Sequence, residues 1–586
     1  MAKLLTNKDW HLIKKFGRYF VPHKKWIIIS VSSIPVTTVA SILFLWLVER
    51  IIDDYIVPGD VTGLKTYAML LAGVLLINLL FDGLYSYTFS KAGGLAIVDM
   101  RRELFGKAIR FPMRYYDKNP IGVTLSRLTS DMESISESFA AGILGLLSES
   151  IKTTALVGYL FYLNWRLTLV LLLVVPLIVL VMRYLRKKIR AAYDESRTSL
   201  AKSAAYLQES LNGMKTIQLY NAENESWNKY NNLNKTYCDA QNRSNIYDSA
   251  LYSIVEGITS VATALVLFYG AIQVWDYGYT MGVLVVFITT LGRLFIPVRQ
   301  FAQQISTIQR ALSALDHISH LFKQETEEEQ EQPEKPNPSE LKDITFENVS
   351  FRYTEDTPDV LNNISFTLRK GDRIALVGTT GSGKSTIIRL LTKTYTGYRG
   401  SIKINGRELR DIPLAEIRNT MSLMQQDIFM FNDTIKFNIA LGREYITEED
   451  VQNAASFVYA DRFINQLPGK MDYVIQDNGD NLSKGQGQLI SFARAISSNN
   501  ELIILDEATS AVDSLTENYI QKAIENIFSF RTVIAVAHRL STIRHSDLIL
   551  VLEQGKIIER GTHEQLVNQG GKYAHLVQSW EEEKIN

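Results

Sequence analysis

Apolar residues in the first half of the chain gather in long unbroken runs, whereas in the second half they form short stretches separated by polar residues. A run of about 20 apolar residues is long enough to cross the ~30 Å hydrocarbon core of a membrane. The first run is too long for a signal peptide, and no small-residue cleavage site comes after it. The pattern predicts an all-α membrane domain over 1–322, with six spans at 26–48, 67–90, 142–163, 167–185, 249–273 and 280–302.

The loops between these spans alternate between short and long, and the long ones carry most of the cations. Lysine and arginine are concentrated in 91–141, in 186–248 and in the segment before the first span. Because cytoplasmic loops carry the excess of Lys and Arg, we expect both termini and both long loops to be cytoplasmic. The chain is then a multi-pass protein of a membrane, and we expect that membrane to be a bacterial plasma membrane.

The long loops favour helix and contain little proline or glycine. We therefore expect helices 2 to 5 to continue past the bilayer, with breaks at 119–122 and around Asn212 and Gly213. A separate cytoplasmic subdomain is the alternative. Before the first span, aromatic and aliphatic residues alternate with lysines, which predicts an amphipathic helix on the inner leaflet.

Charge and cysteine content narrow the class of protein. Lys+Arg and Asp+Glu are both 62, so the balance gives no basic surplus of the kind that nucleic-acid proteins show. The only cysteine, Cys238, excludes an intramolecular disulfide and indicates a reducing compartment for the soluble part. Residues 323–342 are acidic and contain proline, as an exposed linker does. The region after this linker, 343–586, is predicted to be an α/β domain.

A glycine-rich segment in this second domain predicts nucleotide binding. It lies between a β-type run at 373–377 and a helical run, and it fits the pattern G-x-x-x-x-G-K-S. The glycines let backbone N–H groups converge on a phosphate at a helix N-terminus. Lys384 is expected between the β- and γ-phosphates, and Ser385 is expected to offer its hydroxyl to Mg²⁺. The predicted ATP- or GTP-binding residues here are Gly378, Thr379, Thr380, Gly381, Ser382, Gly383, Lys384, Ser385 and Thr386.

A pair of carboxylates comes directly after a second apolar run, at 502–505. Asp506 is placed to complete the Mg²⁺ site. Glu507, one residue on, is placed to polarise a water for in-line attack on the γ-phosphate. Such a pair at a strand end also occurs as a simple helix cap, which is the structural alternative.

The segment 482–486, Leu-Ser-Lys-Gly-Gln, points to one family of nucleotide-binding proteins. It resembles the signature of ATP-binding cassette (ABC) proteins, which usually reads LSGGQ. The other elements of that family occur in the expected order, at Tyr353 (A-loop), Gln426 (Q-loop), Asp513 (D-loop) and His538 (H-loop). The region 343–586 is thus similar to an ABC nucleotide-binding domain, and the whole chain is similar to an exporter half-transporter of the multidrug type.

The resemblance implies a role for each element. Tyr353 would stack on adenine, Gln426 would contact Mg²⁺ and the attacking water, and His538 would hold the γ-phosphate and orient Glu507. In the family, the signature contacts ATP bound to the opposing subunit, so two cassettes enclose two ATP molecules. Here the signature residues are Ser483, Lys484, Gly485 and Gln486.

Lys484 departs from the family, which prefers glycine at this position. Its side chain either points into solvent with little effect or impairs the ATP site that this signature covers. An intact catalytic set beside an altered signature resembles one half of a heterodimeric multidrug exporter. We therefore expect a second, different half-transporter as the partner.

Ionisable residues inside membrane spans are costly and usually face a cavity or a partner. Asp82, Glu149, Glu256 and Arg293 are the candidates for the substrate cavity. Lys152 lies three residues after Glu149, so those two are expected to pair, and Glu256 is expected to pair with Arg293. Aromatic residues in the same spans suit a small hydrophobic or amphipathic cargo, drug-like or lipid-like.

Two other functions remain open. A peptide or lipid exporter that works as a homodimer belongs to the same class. An ATP-gated channel or a regulatory subunit belongs to a different class, and the presence of Glu507 argues against it. The six spans exclude a soluble ABC ATPase.

Overall fold

The computed structural model of the protein describes residues 7–141, 143–327, 340–425, 428–506, 514–536 and 543–585. The chain forms two compact units. The first contains Met1–Ile109 and Pro120–Gln324, and the second contains Arg110–Asn119 and Glu325–Asn586. The short segment Arg110–Asn119 therefore joins the second unit, although the hydrophobic pattern places it in the membrane domain.

The secondary structure of the first unit consists of helices joined by short turns, within its described residues. A 3₁₀ turn lies directly after its first helix at Arg18–Phe20, and single π-helical segments occur at Ile52–Ile56 and Arg127–Asp131. In chain order, the helices before the linker are α1 (Asn7–Gly17), α2 (Lys24–Ile51), α3 (Val61–Ala108), α4 (Met113–Lys118), α5 (Ile121–Ser126), α6 (Met132–Ala141), α7 (Ile143–Leu163), α8 (Trp165–Asn212), α9 (Met214–Leu219), α10 (Glu223–Tyr277) and α11 (Met281–Phe322). All of them belong to the first unit except α4, which belongs to the second.

The three longest of these helices far exceed the thickness of a membrane. Helices α3 and α8 have 48 residues each and α10 has 55, which is ~72–83 Å at 1.5 Å per residue. The helical extensions predicted for the second, fourth and fifth spans are therefore present, whereas α7, which carries the third span, has 21 residues. Helix α8 ends at Asn212 as expected. The C-terminus of α10 is set by Gly278, whose φ of 68° stops the helix in the left-handed conformation.

Four helical stretches have the length and composition to cross a membrane: Lys24–Ile56, Gly63–Ala108, Trp165–Asn212 and Glu223–Trp275. The two other predicted spans, at 142–163 and 280–302, fall on α7 and α11. Parts of both lie outside the described side chains. A shorter apolar stretch, Met281–Leu294, occurs at the start of α11, and the number six stays a prediction.

The amphipathic helix expected on the inner leaflet is present as α1, but its apolar face contacts protein. Leu12 and Phe16 are buried. The ring of Phe16 lies 6.0 Å from that of Phe322 at the end of α11, and the Lys15 ammonium donates to the Ser319 hydroxyl at 3.3 Å. Trp10 remains exposed.

The second unit contains two β-sheets. One is antiparallel with strand order β2-β1-β4-β5, and the other has the order β10-β9-β3-β8-β7-β6. In the larger sheet β9, β3, β8, β7 and β6 are parallel and β10 is antiparallel. The strands are β1 (Asp343–Phe351), β2 (Leu361–Arg369), β3 (Arg373–Val377), β4 (Arg399–Ile404), β5 (Arg407–Glu408), β6 (Met421–Met424), β7 (Leu502–Asp506), β8 (Thr532–Val536), β9 (Leu548–Glu553) and β10 (Lys556–Gly561).

Helices cover both faces of the larger sheet. Its strands are apolar on both sides, as buried parallel strands are: Ile504 of β7 packs into one hydrophobic core, and its neighbours Ile503 and Leu505 pack into another. The helices of this unit after α4 are α12 (Lys384–Leu391), α13 (Leu414–Thr420), α14 (Ile435–Ala440), α15 (Glu448–Phe457), α16 (Asp461–Ile464), α17 (Lys484–Ser497), α18 (Ser514–Phe530), α19 (His563–Gln569) and α20 (Lys572–Ile585). The predicted fold class, a helical membrane domain fused to an α/β nucleotide-binding domain, is confirmed.

Candidate functional site

The glycine-rich loop lies between β3 and α12, at the edge of the sheet where the parallel strands end. Gly378, Gly381 and Gly383 have φ values of 154°, 83° and 105°, a region that side chains disfavour. A Cβ at Gly378 would lie 2.2 Å from the Leu552 carbonyl oxygen, and one at Gly383 would lie 2.6 Å from a methyl carbon of Leu361. The loop therefore needs glycine at these two positions both for its conformation and for its packing.

Lys384, the first residue of α12, points back into this loop. Its ammonium donates to the carbonyl oxygens of Gly378 at 2.7 Å and Thr379 at 3.0 Å. The residue is only 6% exposed, and burial lowers the pKa of the ammonium while the nearby Asp506 carboxylate opposes that shift. A phosphate entering the loop would meet a cation that is already positioned and only weakly solvated.

Ser382 supplies a second sign that the loop is built for a ligand. Its hydroxyl is buried, at 2% exposure, and has no hydrogen-bond partner within the described part of the chain. Leaving such a group unpaired costs ~1–3 kcal/mol, and a phosphate oxygen would satisfy it. The adjoining cavity has a volume of about 430 Å³ and is lined by Tyr353, Val360, Thr380, Gly381, Gly383, Lys384, Ser385, Thr386, Asp506 and Val536.

Asp506 and Ser385 bring oxygen ligands to the same cavity from two elements. Asp506 ends β7, and Ser385 lies in the first turn of α12. A carboxylate and a hydroxyl suit Mg²⁺, which binds through a few protein oxygens together with substrate phosphates. Within the described residues no cluster of three or more His, Cys, Asp or Glu offers a metal site of its own. The donor set therefore fits a metal that arrives with a nucleotide.

Four predicted site residues, Gln426, Glu507, Asp513 and His538, lie outside the described residues. Three of them come after the ends of parallel strands in the sequence: Gln426 after β6, Glu507 after β7 and His538 after β8. Their roles stay predictions.

Tyr353 lines the same cavity from the antiparallel side of the unit. Its hydroxyl is 3.0 Å from the Thr386 hydroxyl, and Arg389 donates to it at 3.3 Å. The Tyr395 ring packs nearly perpendicular to the Tyr353 ring, with ring centroids 5.1 Å apart. Tyr353 is thus held from several sides, as a platform for a base would be.

The signature segment forms the start of α17. The Ser483 hydroxyl accepts from the Gln486 N–H at 3.2 Å, and the Gln486 side chain accepts from the Ser483 N–H at 2.9 Å. This reciprocal pair is a capping box, which fixes the N-terminus of the helix. Gly485 is buried, whereas Lys484 is exposed. The phosphate loop and the signature are two separate sites on the unit.

Comparison with known proteins supports the predicted identity of both domains. A family model described as "ABC transporter transmembrane region" matches residues 27–298, and one described as "ABC transporter" matches residues 361–510. An ATP-dependent lipid A-core flippase of Albidiferax ferrireducens is 32% identical over 98% of this chain and 99% of that protein. The chain belongs to the ABC exporters.

Two further relatives cover the exporter over nearly its full length. An uncharacterized ABC transporter ATP-binding protein of Bacillus subtilis is 32% identical over 97% of this chain and 95% of that protein. The solved structure of a bacterial Atm1-family ABC exporter with ATP bound is similar with a TM-score of 0.75 at 27% identity, over 95% of this chain and 98% of that chain. The exporter is therefore a bacterial multi-pass membrane protein whose cytoplasmic domain binds and hydrolyses ATP with Mg²⁺.

Sequence reasoning missed the residues that support Tyr353. The Tyr395 hydroxyl donates to the Asp117 carboxylate of α4 at 2.5 Å. Burial, with Asp117 contributing, raises the pKa of Tyr395 to about 12, so the phenol stays a donor at physiological pH. No local motif marks this contact, because the two residues lie 278 positions apart. Only the aromatic pair Tyr395 and Tyr398, shortly after α12, hints at packing there.

Arg494 of α17 was also missed as a supporting residue. Its guanidinium donates to the Asn438 carbonyl oxygen at 2.7 Å and to the Phe429 carbonyl oxygen at 3.0 Å. These bonds tie the helix that begins with the signature to the segment that comes after Asp427. Burial lowers the pKa of the guanidinium, which nevertheless stays charged because its ordinary value exceeds 12.

The polar residues of the exporter's membrane helices pair differently from the prediction. Lys152 of α7 lies 3.1 Å from the Asp82 carboxylate of α3 and 3.9 Å from Glu149, so the predicted local pair is the longer of two contacts. The Arg293 guanidinium lies over the Phe44 ring, 4.8 Å from its centroid. Within the described residues no ion pair joins Arg293 to Glu256, because Arg293 packs on α2 instead.

Proposed function

We propose that the exporter is the catalytically intact half of a heterodimer that moves small amphipathic molecules out of the cytoplasm. A contrast between two sites on one chain carries this proposal. The phosphate loop has its glycines, its buried Lys384 and an unsatisfied Ser382 hydroxyl in place. The signature has a long exposed side chain where the family has none.

The proposed chemistry starts at the phosphate loop. The residues from Gly378 to Thr386 bind the phosphates of ATP, and Tyr353 stacks on its adenine. Ser385, Gln426 and Asp506 would hold Mg²⁺, which would neutralise the charge that develops on the phosphate oxygens. Glu507 polarises the attacking water, His538 holds the γ-phosphate and orients Glu507, and Asp513 belongs to the D-loop.

The altered signature is expected to weaken the other ATP site. The exposed N-terminus of α17 presents backbone N–H groups, which favour an anion. The Cβ and long stem of Lys484 hinder the close approach that glycine allows, although its ammonium attracts the phosphate at longer range. Turnover then falls mainly on the site where Lys384 of this chain meets the signature of the partner subunit.

The charges of the membrane helices favour a cationic or neutral amphipathic cargo. Asp82, Lys152 and Glu149 together carry a net charge of −1. Glu256 of α10 is exposed and lies one turn from the exposed Tyr252. A carboxylate beside an aromatic face is the chemistry that attracts an organic cation.

A second candidate is a homodimeric lipid exporter. It is favoured by the relatives named lipid A-core flippase, which align over nearly the whole chain. In that case every ATP site would contain Lys484, and the cargo would be an anionic lipid.

Transport into sealed inside-out vesicles tests the cargo assignment. We expect ATP-dependent accumulation of a cationic fluorescent dye, and we expect Glu256→Gln to reduce its uptake while ATPase activity persists. Glu507→Gln should abolish uptake altogether and serves as the coupling control. Uptake of a fluorescent lipid analogue without uptake of the dye would contradict the proposal and favour the homodimeric lipid exporter.

A further inference from the structure

Two lysines without carboxylate partners meet at the inner end of the membrane helices α2 and α3. The Lys91 ammonium of α3 lies 4.2 Å from the centroid of the Trp26 ring, and the Lys25 ammonium lies 5.4 Å from the same centroid. Within the described residues neither lysine forms an ion pair. The two carboxylates that come after Lys91 in α3, Asp99 and Glu103, contact His23 and Arg18 instead.

The surroundings of these lysines are those of a lipid headgroup region. Lys91 also donates to the Tyr87 hydroxyl at 3.3 Å. Tyr87 is 60% exposed, and Trp26 is partly exposed. Tryptophan and tyrosine concentrate at the level of the headgroups. Because the N-terminus of the exporter is cytoplasmic, this level is that of the inner leaflet.

Lys91 is held in place but not neutralised. Contact with the Trp26 ring and with one phenol oxygen fixes the position of the ammonium. An ammonium has three donors, and the Tyr87 hydroxyl takes one of them. The remaining donors of Lys91, together with those of Lys25, are available to an anion on the membrane side.

An apolar cavity continues along the same seam between α2 and α3. The antiparallel register is fixed by the Ser30 hydroxyl, which donates to the Tyr85 carbonyl oxygen at 3.2 Å. Further toward the outer leaflet lies a cavity of about 370 Å³ with almost no polar surface. Its walls are Pro35, Val39 and Leu43 of α2 and Val74 and Ile77 of α3.

The spacing between the lysines and the cavity matches the depth of one leaflet. From Trp26 to Pro35 is nine residues, or ~13 Å of helix. Half of a ~30 Å hydrocarbon core is ~15 Å. A lipid whose headgroup lies at Trp26 therefore has its acyl chain end at the near side of the cavity.

We propose that the α2–α3 seam binds an anionic phospholipid of the inner leaflet, with its phosphate between Lys25 and Lys91 and the end of one acyl chain at the near side of the cavity. The two uncompensated lysines select a net negative headgroup over a zwitterionic one. The site is separate from the ATP site, and it is independent of which cargo the exporter moves.

Native mass spectrometry of the full-length exporter tests this site, with phosphatidylglycerol or phosphatidylcholine added to the detergent-solubilised protein. We expect phosphatidylglycerol to bind more tightly than phosphatidylcholine. The double variant Lys25→Gln, Lys91→Gln should lose that preference, with binding about 30-fold weaker, since each lysine near an anionic headgroup contributes about fivefold. Lys235→Gln, on the exposed cytoplasmic part of α10, removes the same charge far from the site and should change nothing.

Two further arms separate the parts of the proposal. Val36→Phe, on the α2 wall at the near side of the cavity, should weaken phosphatidylglycerol binding without removing the headgroup preference. Inorganic phosphate should not compete, because it has no acyl chain. Equal binding of the two lipids, unchanged binding by the double lysine variant, or displacement by inorganic phosphate would overturn the lipid site. If Val36→Phe dissociates the assembled exporter and leaves lipid binding intact, the cavity belongs to a partner helix and the assignment of the acyl chain is wrong.

Discussion

The phosphate loop and the ion cluster of the membrane helices both hold a lysine, but their partners come from different distances along the chain. Lys384 bonds to carbonyl oxygens five and six residues away. Lys152 finds its closest partner, Asp82, 70 residues away on another helix. The contacts of Lys384 are determined by one continuous strand, loop and helix, whereas the contact of Lys152 depends on how separate helices pack. Chemistry that rests on local spacing can therefore be located from sequence far better than chemistry that rests on packing.

The largest expected effect lies at the nucleotide site. Glu507→Gln should reduce steady-state ATP hydrolysis by about 100-fold or more while ATP still binds, because an amide cannot polarise water as a carboxylate does. Phosphate release and binding of a fluorescent ATP analogue measure the two quantities. Glu449→Gln, an exposed carboxylate at the start of α15, is the matched control. Hydrolysis within about twofold of the unmodified exporter would contradict the role of Glu507.

The glycines of the loop allow a sharper test of local spacing. Alanine at Gly381 or Gly383 suffers the same disfavoured φ, but only at Gly383 does the added Cβ meet another residue, Leu361. Gly383→Ala should therefore weaken ATP binding about tenfold or more, and Gly381→Ala should weaken it less. Equal losses at the two positions would show that backbone strain alone, and not the contact with β2, controls the loop.

The same distinction explains what the sequence could and could not predict. The strand and helix around Lys384, the capping residue Ser483 and the long helices result from short-range patterns, and the structure contains all of them. The contact of Tyr395 with Asp117 and the burial of Phe16 against Phe322 depend on elements that meet only in the folded chain. The pairing of Arg293 with Glu256 was wrongly predicted for this reason, since α10 and α11 are in contact but the Arg293 side chain lies over Phe44 of α2.

In the membrane helices we expect a moderate effect on stability. Lys152→Met leaves Asp82 and Glu149 without a cation, and it should lower the Tm by about 3–6 °C, from a loss of ~1–2 kcal/mol. Asp82→Asn keeps Lys152 beside Glu149 and should have the smaller effect. Thermal unfolding in detergent measures both variants. A larger loss for Asp82→Asn would mean that the cluster is organised around Asp82 rather than around the lysine.

The smallest expected effect on stability concerns a solvent-exposed ion pair of the nucleotide-binding domain. Arg373 binds Asp547 through two side-chain bonds, of 2.9 and 2.8 Å, and these lower the pKa of the carboxyl. Because the pKa is lowered in the folded state, the pair stabilises the fold above the unfolded pKa of about 3.9 and loses that effect as pH falls below it. Arg373→Gln should lower the Tm by about 1–3 °C at pH 6, since exposed pairs contribute little.

The pH dependence provides the control for that variant. Its Tm difference from the unmodified exporter should shrink between pH 5 and pH 3, as Asp547 becomes protonated. A difference that stays constant across this range would assign the effect of Arg373 to packing rather than to charge.

In the proposed heterodimer, this chain supplies one strong ATP site and needs a different partner to use it. The most direct test is to purify the chain expressed alone and to measure its oligomeric state together with its ATPase activity. We expect little hydrolysis from the chain alone, and Lys484→Gly should raise it only modestly. A stable homodimer that hydrolyses ATP at about 1 s⁻¹ or faster, within the common range of enzymes, would contradict the heterodimer and make Lys484 a tolerated substitution.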